Sequence, residues 1–469
     1  MGNSGVAAGH AATVEAGTSI LSAGGNAVDA ACAAVFASCV SETMMTGLGG
    51  GGFATVFHAG TKTVTCHDFF VAVPGIGASR ASSALEPIEV AFGGVPLEFS
   101  IGAASVAVPG VVAGCEALLT RFGTLPWRDI LAPAVGLARE GVTVSGKHAE
   151  ALQSVAPALL PGDGAAAYAP GGQLLRAGQR LHHPGLEHSL QQLADEGAAA
   201  MYRGDMADAI VASVAERGGV LSRADLEQYR VANRVARYAH FGADTVWGRD
   251  DLSHTVDVLD GLNRVWPRQR SWTAAQRAVP VAQALDTKPD HSLGDTTNVS
   301  VIDSAGNACV ITTTLGIGSG IWPAGTGIHL NSMMGEGELR FGEGVPGERM
   351  ASMMCPLVVR DRAGDVAVAL GSAGASRIRT ALTHTLLRIC VDRDTAATAI
   401  AGGRFHPVGG TVHCEDTVES GAVEALDAAG YRVVEWRDDL HYFGGVSAVC
   451  ADSAAGDPRR DGTGTHIVG

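Results

Sequence analysis

Residues 295–316 read DTTNVSVIDSAGNACVITTTLG, and no other stretch leaves the chain so few options. Val299, Val301 and Ile302 form one β-rich run, and Val310 and Ile311 belong to a second. Ser-Ala-Gly separates Asp303 from Asn307, and a three-residue loop with glycine last suits a hairpin whose third loop residue is left-handed. With Asp303 opposite Asn307, the register runs back along both strands and sets Thr296 opposite Thr314. Directly opposed Cβ atoms lie about 5 Å apart, close enough for one hydroxyl to orient the other. Such a Thr–Thr pair is also an ordinary structural feature of a sheet. Its chemical reading needs a cut between Asp295 and Thr296. The released α-amine would sit beside its own hydroxyl. An α-amine titrates near about 8, so a useful fraction is neutral near pH 7 and can act as the base. This is the N-terminal-threonine form of an activated nucleophile, and it needs no His or Asp partner.

Acyl chemistry at a threonine also needs N–H donors for the developing oxyanion. "ALGSAGASRIRT" offers them as a strand, the turn Gly371–Ser376 and a helix start; an ordinary strand-to-helix turn would look the same. Four consecutive glycines, Gly49 to Gly52, precede a strand over Phe53–His58. No GK[ST] ending and no preceding strand support a phosphate loop, so close backbone packing beside the site is the better reading. Upstream, Asn26 caps a helix whose Val28, Ala31, Cys32, Val35, Phe36 and Cys39 mark one buried face. Residues 110–235 read as amphipathic helices broken at Gly and Pro, with a capping box at Ser222 and Asp225. Residues 236–295 are polar with little periodicity and read as irregular. The last part alternates strands with helices.

Composition excludes more than it selects. A formal charge of −15 provides no basic footprint for nucleic acid or an anionic membrane. The nine cysteines are scattered singly, without a CxxC pair or zinc spacing, which suggests reduced thiols and a cytoplasmic setting. The opening residues lack a basic start followed by an apolar run, so no signal peptide is expected. The longest apolar stretch, Ala27–Val40, contains Asp29 and is too short to span a bilayer. The proposed chemistry calls for no metal and no organic cofactor.

"GGNAVDAA", "GLGGGGF", "TTNVSVIDSAGNACVITTTL", "GSAGASRI", "GRFH" and "DPRRDG" occur in that order, and together they resemble the γ-glutamyltranspeptidase family. The resemblance implies an α/β N-terminal-nucleophile hydrolase fold, a four-layer α-β-β-α sandwich. It implies a precursor that cuts itself into a large subunit, Met1–Asp295, and a small subunit, Thr296–Gly469, which stay together as one catalytic domain. It further implies an acyl-enzyme passed to water or to an acceptor amine. Thr296 matches the family's nucleophile and Thr314 the threonine that steadies it. Gly374 matches the first oxyanion-hole glycine, while Ala375 replaces the second. Glu336 falls where the family holds the substrate's α-amine. Ser352 matches one of two substrate-binding serines, and Met353 replaces the other.

The departures cluster on the substrate side. Phe70 stands in "HDFFVAVPG" where the family has the arginine that takes a glutamyl α-carboxylate. Gly316 replaces an Asn, Met333 replaces a Gln, and the Pro-Ser-Gly-rich stretch expected near residues 235–250 is missing. Phe70, Met333 and Met353 also suit a plain core. Two enzyme readings follow. One is an autoprocessing hydrolase or transferase for the acyl group of a small amino-acid-like amide, γ-glutamyl among the candidates. The other resembles the antibiotic-biosynthesis branch, in which a carbon–carbon bond of a 4-substituted proline precursor is hydrolysed. A third reading is an uncleaved relative that only binds.

Overall fold

The structure is a computed structural model that describes residues 2–78, 83–92, 95–249, 252–265, 272–286, 295–336, 339, 344–438 and 440–469. Two antiparallel sheets dominate it. The first runs in the order Thr463–Ile467, Ser4–Ala8, Asp295–Ile302, Ala308–Gly316, Gly51–His58, Thr63–Phe69, Ala232–Val235. The second runs Ala454–Gly456, Gly445–Cys450, Val366–Ala373, Leu357–Arg360, Asp244–Gly248, Arg237–Phe241. The hairpin of residues 295–316 therefore lies in the middle of the first sheet.

Side-chain alternation along that hairpin builds two cores at once. Ile302, Ala308 and Val310 face the second sheet, where they meet Val358, Ala369 and Val449. Val301, Cys309 and Ile311 face the opposite way and pack under helices including Ala27–Ser41 and Val111–Phe122. On the outer side of the second sheet, Leu357, Val359 and Leu370 pack with Leu259, Val281 and Leu382 from three more helices. The layers are helix, sheet, sheet, helix.

The turn forms as the sequence predicts. Asp303 and Asn307 close it through an N–H···O bond of 3.0 Å, and Gly306 sits at φ +82°. Asn26 accepts from Val28 and Asp29 N–H, and Asp29 completes a capping box. The helix behind it differs from expectation. All of Ala27–Ser41 is buried, not one face, because its many alanines let it lie between the sheet and further helices. Residues 236–295 also differ. They contain the strands Arg237–Phe241 and Asp244–Gly248 and the helices Thr255–Val265 and Ala274–Leu285. Three of those four elements carry buried apolar residues at regular spacing: Ala239 and Phe241, then Val256, Leu259 and Leu262, then Ala278, Val281 and Leu285.

Candidate active site

The ladder of the central hairpin holds from Ile302–Ala308 back to Thr297–Thr313 and then shifts. The next registered pair is Asp295–Gly316, so Thr296 is opposed by both Thr314 and Leu315 rather than by Thr314 alone. This correction to simple pairing is a β-bulge, a device that re-aims side chains beside functional sites. Gly316 makes it possible. It adopts φ +71°, and its N–H bonds Thr314 Oγ1 at 2.9 Å, folding the strand end over.

The threonines then divide by role. Thr312 donates to Asn298 Oδ1 at 2.7 Å, and Thr313 accepts from Thr46 at 2.8 Å, so both are tied into the sheet. Thr296 and Thr314 instead line one small cavity of about 30 Å³. Phe70, Met333, Glu336, Ser352, Met353 and Ala375 line the same cavity. Leu339, Met354 and Ile378 complete its wall. Residues from five separate stretches are thus brought around Thr296. Of the described residues singled out in the sequence, Gly316 and Gly374 lie outside this lining, and Gly374 is next in the chain to Ala375 within it.

The glycine run sets how near the backbone comes. Gly51 pairs with Thr314, and a Cβ on Gly51 would stand 2.7 Å from the Val71 nitrogen. No side chain fits there, so the strand, Phe70–Val71 and Thr314 are pressed together. The turn after Val366–Ala373 places Gly374 at φ +118° and Ala375 at φ +49°. A Cβ on Gly374 would lie 2.8 Å from Gly444 Cα. Ala375 carries its methyl in a left-handed backbone that costs an L-residue about 1–2 kcal/mol.

Phe70 is fully buried and stacks on Phe53 with centroids 5.3 Å apart. Its ring is core and cavity wall at once, so the two sequence readings of this position are not exclusive. At Gly316 an ideal Cβ would approach Glu336 Oε1 to 2.8 Å. The Glu336 carboxylate thus stands against the space that a side chain at position 316 would enter. Ser352 is buried, and its Oγ accepts from Met354 N–H at 3.2 Å.

One feature behind Thr296 escaped the sequence reading. Glu42 is fully buried, accepts the Thr13 hydroxyl at 2.6 Å, and also accepts the hydroxyl of Thr297. With Asp457 and Arg460 it borders a second space of about 10 Å³ against Thr296 and Thr297, the scale of one water. Burial pushes the Asp457 carboxyl up, but Arg404 and Arg459 outweigh it and hold the group below its ordinary range. Arg404 pairs with Asp457 at 2.6 Å, and Arg459 bridges Asp457 to Glu415. The "GRFH" and "DPRRDG" motifs are therefore a buried ion-pair network under the nucleophile's strand. A carboxylate following an apolar helix was the available signal for Glu42, but its partner is far away in the chain.

Two facing antiparallel sheets between helical layers, with a threonine at the open end of the central hairpin, define the N-terminal-nucleophile hydrolase fold. The γ-glutamyltranspeptidase family model matches residues 13–265 and 269–467. Acylase ACY 1 proenzyme of Pseudomonas sp. (strain V22) is 30% identical, covering 98% of this chain and 93% of its own. Glutathione hydrolase proenzyme of Pseudomonas aeruginosa is 28% identical, covering 96% and 92%. Among solved structures, cephalosporin acylase from Bacillus halodurans superposes with a TM-score of 0.82 at 21% identity, covering 99% and 96%. LmbA2991HD superposes with a TM-score of 0.80 at 19% identity, covering 99% and 98%. The chain belongs to the γ-glutamyltranspeptidase family. It is an enzyme of that family's autoprocessing hydrolase and transferase type. No helix among the described residues is long and apolar enough to cross a membrane.

Proposed function

We propose that the chain is cut between Asp295 and Thr296 and that Thr296 then hydrolyses or transfers the acyl group of a small amide. Met1–Asp295 and Thr296–Gly469 would be the two subunits. In the cut, Thr296 Oγ1 attacks the Asp295 carbonyl carbon, the C–N bond breaks to leave an ester and a free α-amine, and water hydrolyses the ester to the Asp295 carboxylate and the Thr296 hydroxyl. In turnover, that amine takes the hydroxyl proton, Oγ1 attacks the substrate carbonyl, and the oxyanion faces the Gly374 and Ala375 N–H groups. The proton passes to the leaving amine. Water or an acceptor amine releases the acyl-enzyme.

The observation that carries this reading is the shared cavity. Thr296, Thr314 and Ala375 meet there with Glu336 and Ser352 as its polar points. Phe70, Met333, Leu339, Met353, Met354 and Ile378 make the rest apolar. An acyl group with an amine for Glu336 and an apolar body fits these walls better than a γ-glutamyl group, whose α-carboxylate meets Phe70. At about 30 Å³ the cavity admits a ligand only as side chains shift, and flexible methionines can yield. Both curated relatives, an acylase and a glutathione hydrolase, bear names that fit such a reaction. The apolar wall also favours the carbon–carbon reading, in which Thr296 attacks a ketone and expels a stabilised carbanion. Nine free, buried cysteines support a cytoplasmic setting.

Denaturing mass measurement and N-terminal sequencing test the cut. Two fragments, one beginning TTNVSV, are expected, and Thr296→Ala is expected to leave a single chain without turnover. A panel of amide donors, γ-glutamyl-p-nitroanilide included, and a 4-substituted proline ketone then separates the substrates. Full activity from an uncut chain would overturn the mechanism.

A further inference from the structure

Two walls of the Thr296 cavity come from distant stretches. Phe70 follows the strand Thr63–Phe69, and Ser352, Met353 and Met354 follow Arg349. Phe70 stands one residue beyond the last pair of its ladder, Gly52–Phe69, so its peptide groups need partners from elsewhere. Three side chains supply them. Asp68 Oδ1 accepts the Phe70 N–H at 3.1 Å. Tyr229 donates its hydroxyl to the Phe70 carbonyl at 2.6 Å, and the Arg349 guanidinium donates to the same oxygen. Both lone pairs of that carbonyl are thus used, one of them by a charged donor.

The three side chains also hold one another. Arg349 pairs with Asp68 at 3.2 Å and lies 4.5 Å over the Tyr229 ring. Asp68 has Arg234 as a second partner at 3.1 Å. Asp68 and Tyr229 are buried, and the Arg349 side chain is 14% exposed. Tyr229 stacks on Tyr202 at 5.9 Å, and Tyr202 donates to the Pro109 carbonyl and accepts from Ala113 N–H, which anchors the group in the helical layer. Backbone bonds carry the tie along the chain. Met350 N–H donates to the Val71 carbonyl at 3.1 Å, and Val73 N–H to the Glu348 carbonyl at 2.8 Å. Arg349 is therefore the charged pin of a short ladder that joins Phe70 to the stretch carrying Ser352–Met354. The cavity holds only about 30 Å³, so a small displacement of either wall is a large part of its free space.

We propose that Asp68, Tyr229 and Arg349 are positioning residues that set the width of the acyl cavity, and so the bulk of the acyl group it accepts. They touch no substrate; they fix the Phe70 ring relative to Met353 and Met354. A cavity held in this way selects slim acyl groups over branched or aromatic ones. The proposal rests on the reading of the Thr296 cavity as the acyl site.

Tyr229→Phe removes one hydroxyl and keeps the ring between Tyr202 and Arg349. Arg349→Lys keeps the charge beside Asp68 and loses the planar fork. Steady-state kinetics per processed enzyme, with α-amino acyl p-nitroanilides of increasing bulk, give the ratio of kcat/KM for an aromatic donor to that for a slim one. Each variant is expected to raise this ratio at least fivefold, chiefly through a lower KM for the bulky donor. A merely structural role would lower the active fraction for all donors alike and leave the ratio where it was. Thermal melts identify the folded variants. In a Phe70→Ala background, with no ring to place, Tyr229→Phe is expected to change the ratio less than twofold. An unmoved ratio in folded Tyr229→Phe or Arg349→Lys enzyme, or an equal change with and without the Phe70 ring, overturns the proposal. A parent chain that is never cut, or that turns over donors without Thr296, sinks the acyl-site reading itself. A Thr296-dependent enzyme with an unmoved ratio sinks only the positioning role.

Discussion

Phe70→Arg restores the charge that the family places at this position, and its consequences can be worked from the packing. The lost side chain is fully buried, which removes about 1.5–3 kcal/mol of burial. Its stacking on Phe53 contributes a further ~0.5–1.5 kcal/mol. Arg249 lies 3.5 Å from the Phe53 centroid, and Phe53 lies 5.3 Å from Phe70. With the new guanidinium where the Phe70 ring now lies, the two charges would stand about 9 Å apart and repel by about 2 kcal/mol at an effective dielectric of 20. The unliganded variant should be several kcal/mol less stable than the parent. Against this, a charge-assisted bond to a carboxylate is worth about 1.5–3 kcal/mol, or roughly a 10- to 150-fold gain in affinity. The assay pairs a thermal melt with the inhibition constant for glutamate, measured on the folded and processed fraction. Phe70→Met, close in volume and uncharged, is the control. The expected outcome is a lower melting temperature and an inhibition constant at least tenfold lower for the arginine variant only. A folded, processed Phe70→Arg enzyme with an unchanged inhibition constant would refute the placement of this residue against the substrate's carboxylate.

The oxyanion turn gives an opposed pair. Gly374→Ala puts a methyl against Gly444 Cα in a backbone suited to glycine and should cost about 2–4 kcal/mol, read by urea denaturation. Ala375→Gly loses a methyl and adds unfolded-state entropy but relieves left-handed strain, so stability should change by less than about 1 kcal/mol while bulkier acyl donors gain in kcat/KM. Glu42→Gln keeps the shape behind Thr297 and removes the charge. It should slow the cut and turnover at least tenfold in a time course of fragment formation, and an unchanged rate would assign Glu42 to packing alone. Burial lowers His183 and His329 to about 3, below the ordinary 6.5. The unfolded chain then binds more protons between those values, so stability is full above about pH 6.5 and falls with acidity by up to about 1.4 kcal/mol per unit per histidine. Melting temperatures equal at pH 7 and pH 5 would contradict the neutral, buried state of both rings.

What the sequence made legible was local. The Ser-Ala-Gly turn, the strand runs beside it, the N-cap at Asn26 and the capping box at Ser222 each depend on residues within a few positions of one another. So does the register as far as Thr297. It failed at Thr296 because the bulge is set by Gly316, whose left-handed turn belongs to the far end of the partner strand. The helices Thr255–Val265 and Ala274–Leu285 were missed for a different reason. Their apolar spacing is regular, but the Arg, Asp and Trp residues around it mask the period, and the capping box of Thr273 and Gln276 lies amid the same polar text.

The site shows the same division at a larger scale. Ordered motifs were enough to name most of the residues that line the Thr296 cavity, because a family pattern already encodes which distant stretches converge. They could not name what the pattern does not single out. Glu42 meets Thr297 across more than half of the chain. Replacing an arginine by Phe70 removes positive charge from the wall facing Thr296 and leaves Glu336 as the charged group of that lining. A γ-glutamyl donor and its analogue without the α-carboxylate should therefore differ little in KM, whereas loss of the donor's amine should raise it. A strong preference for the carboxylate would place a cation at that wall which Phe70 does not supply.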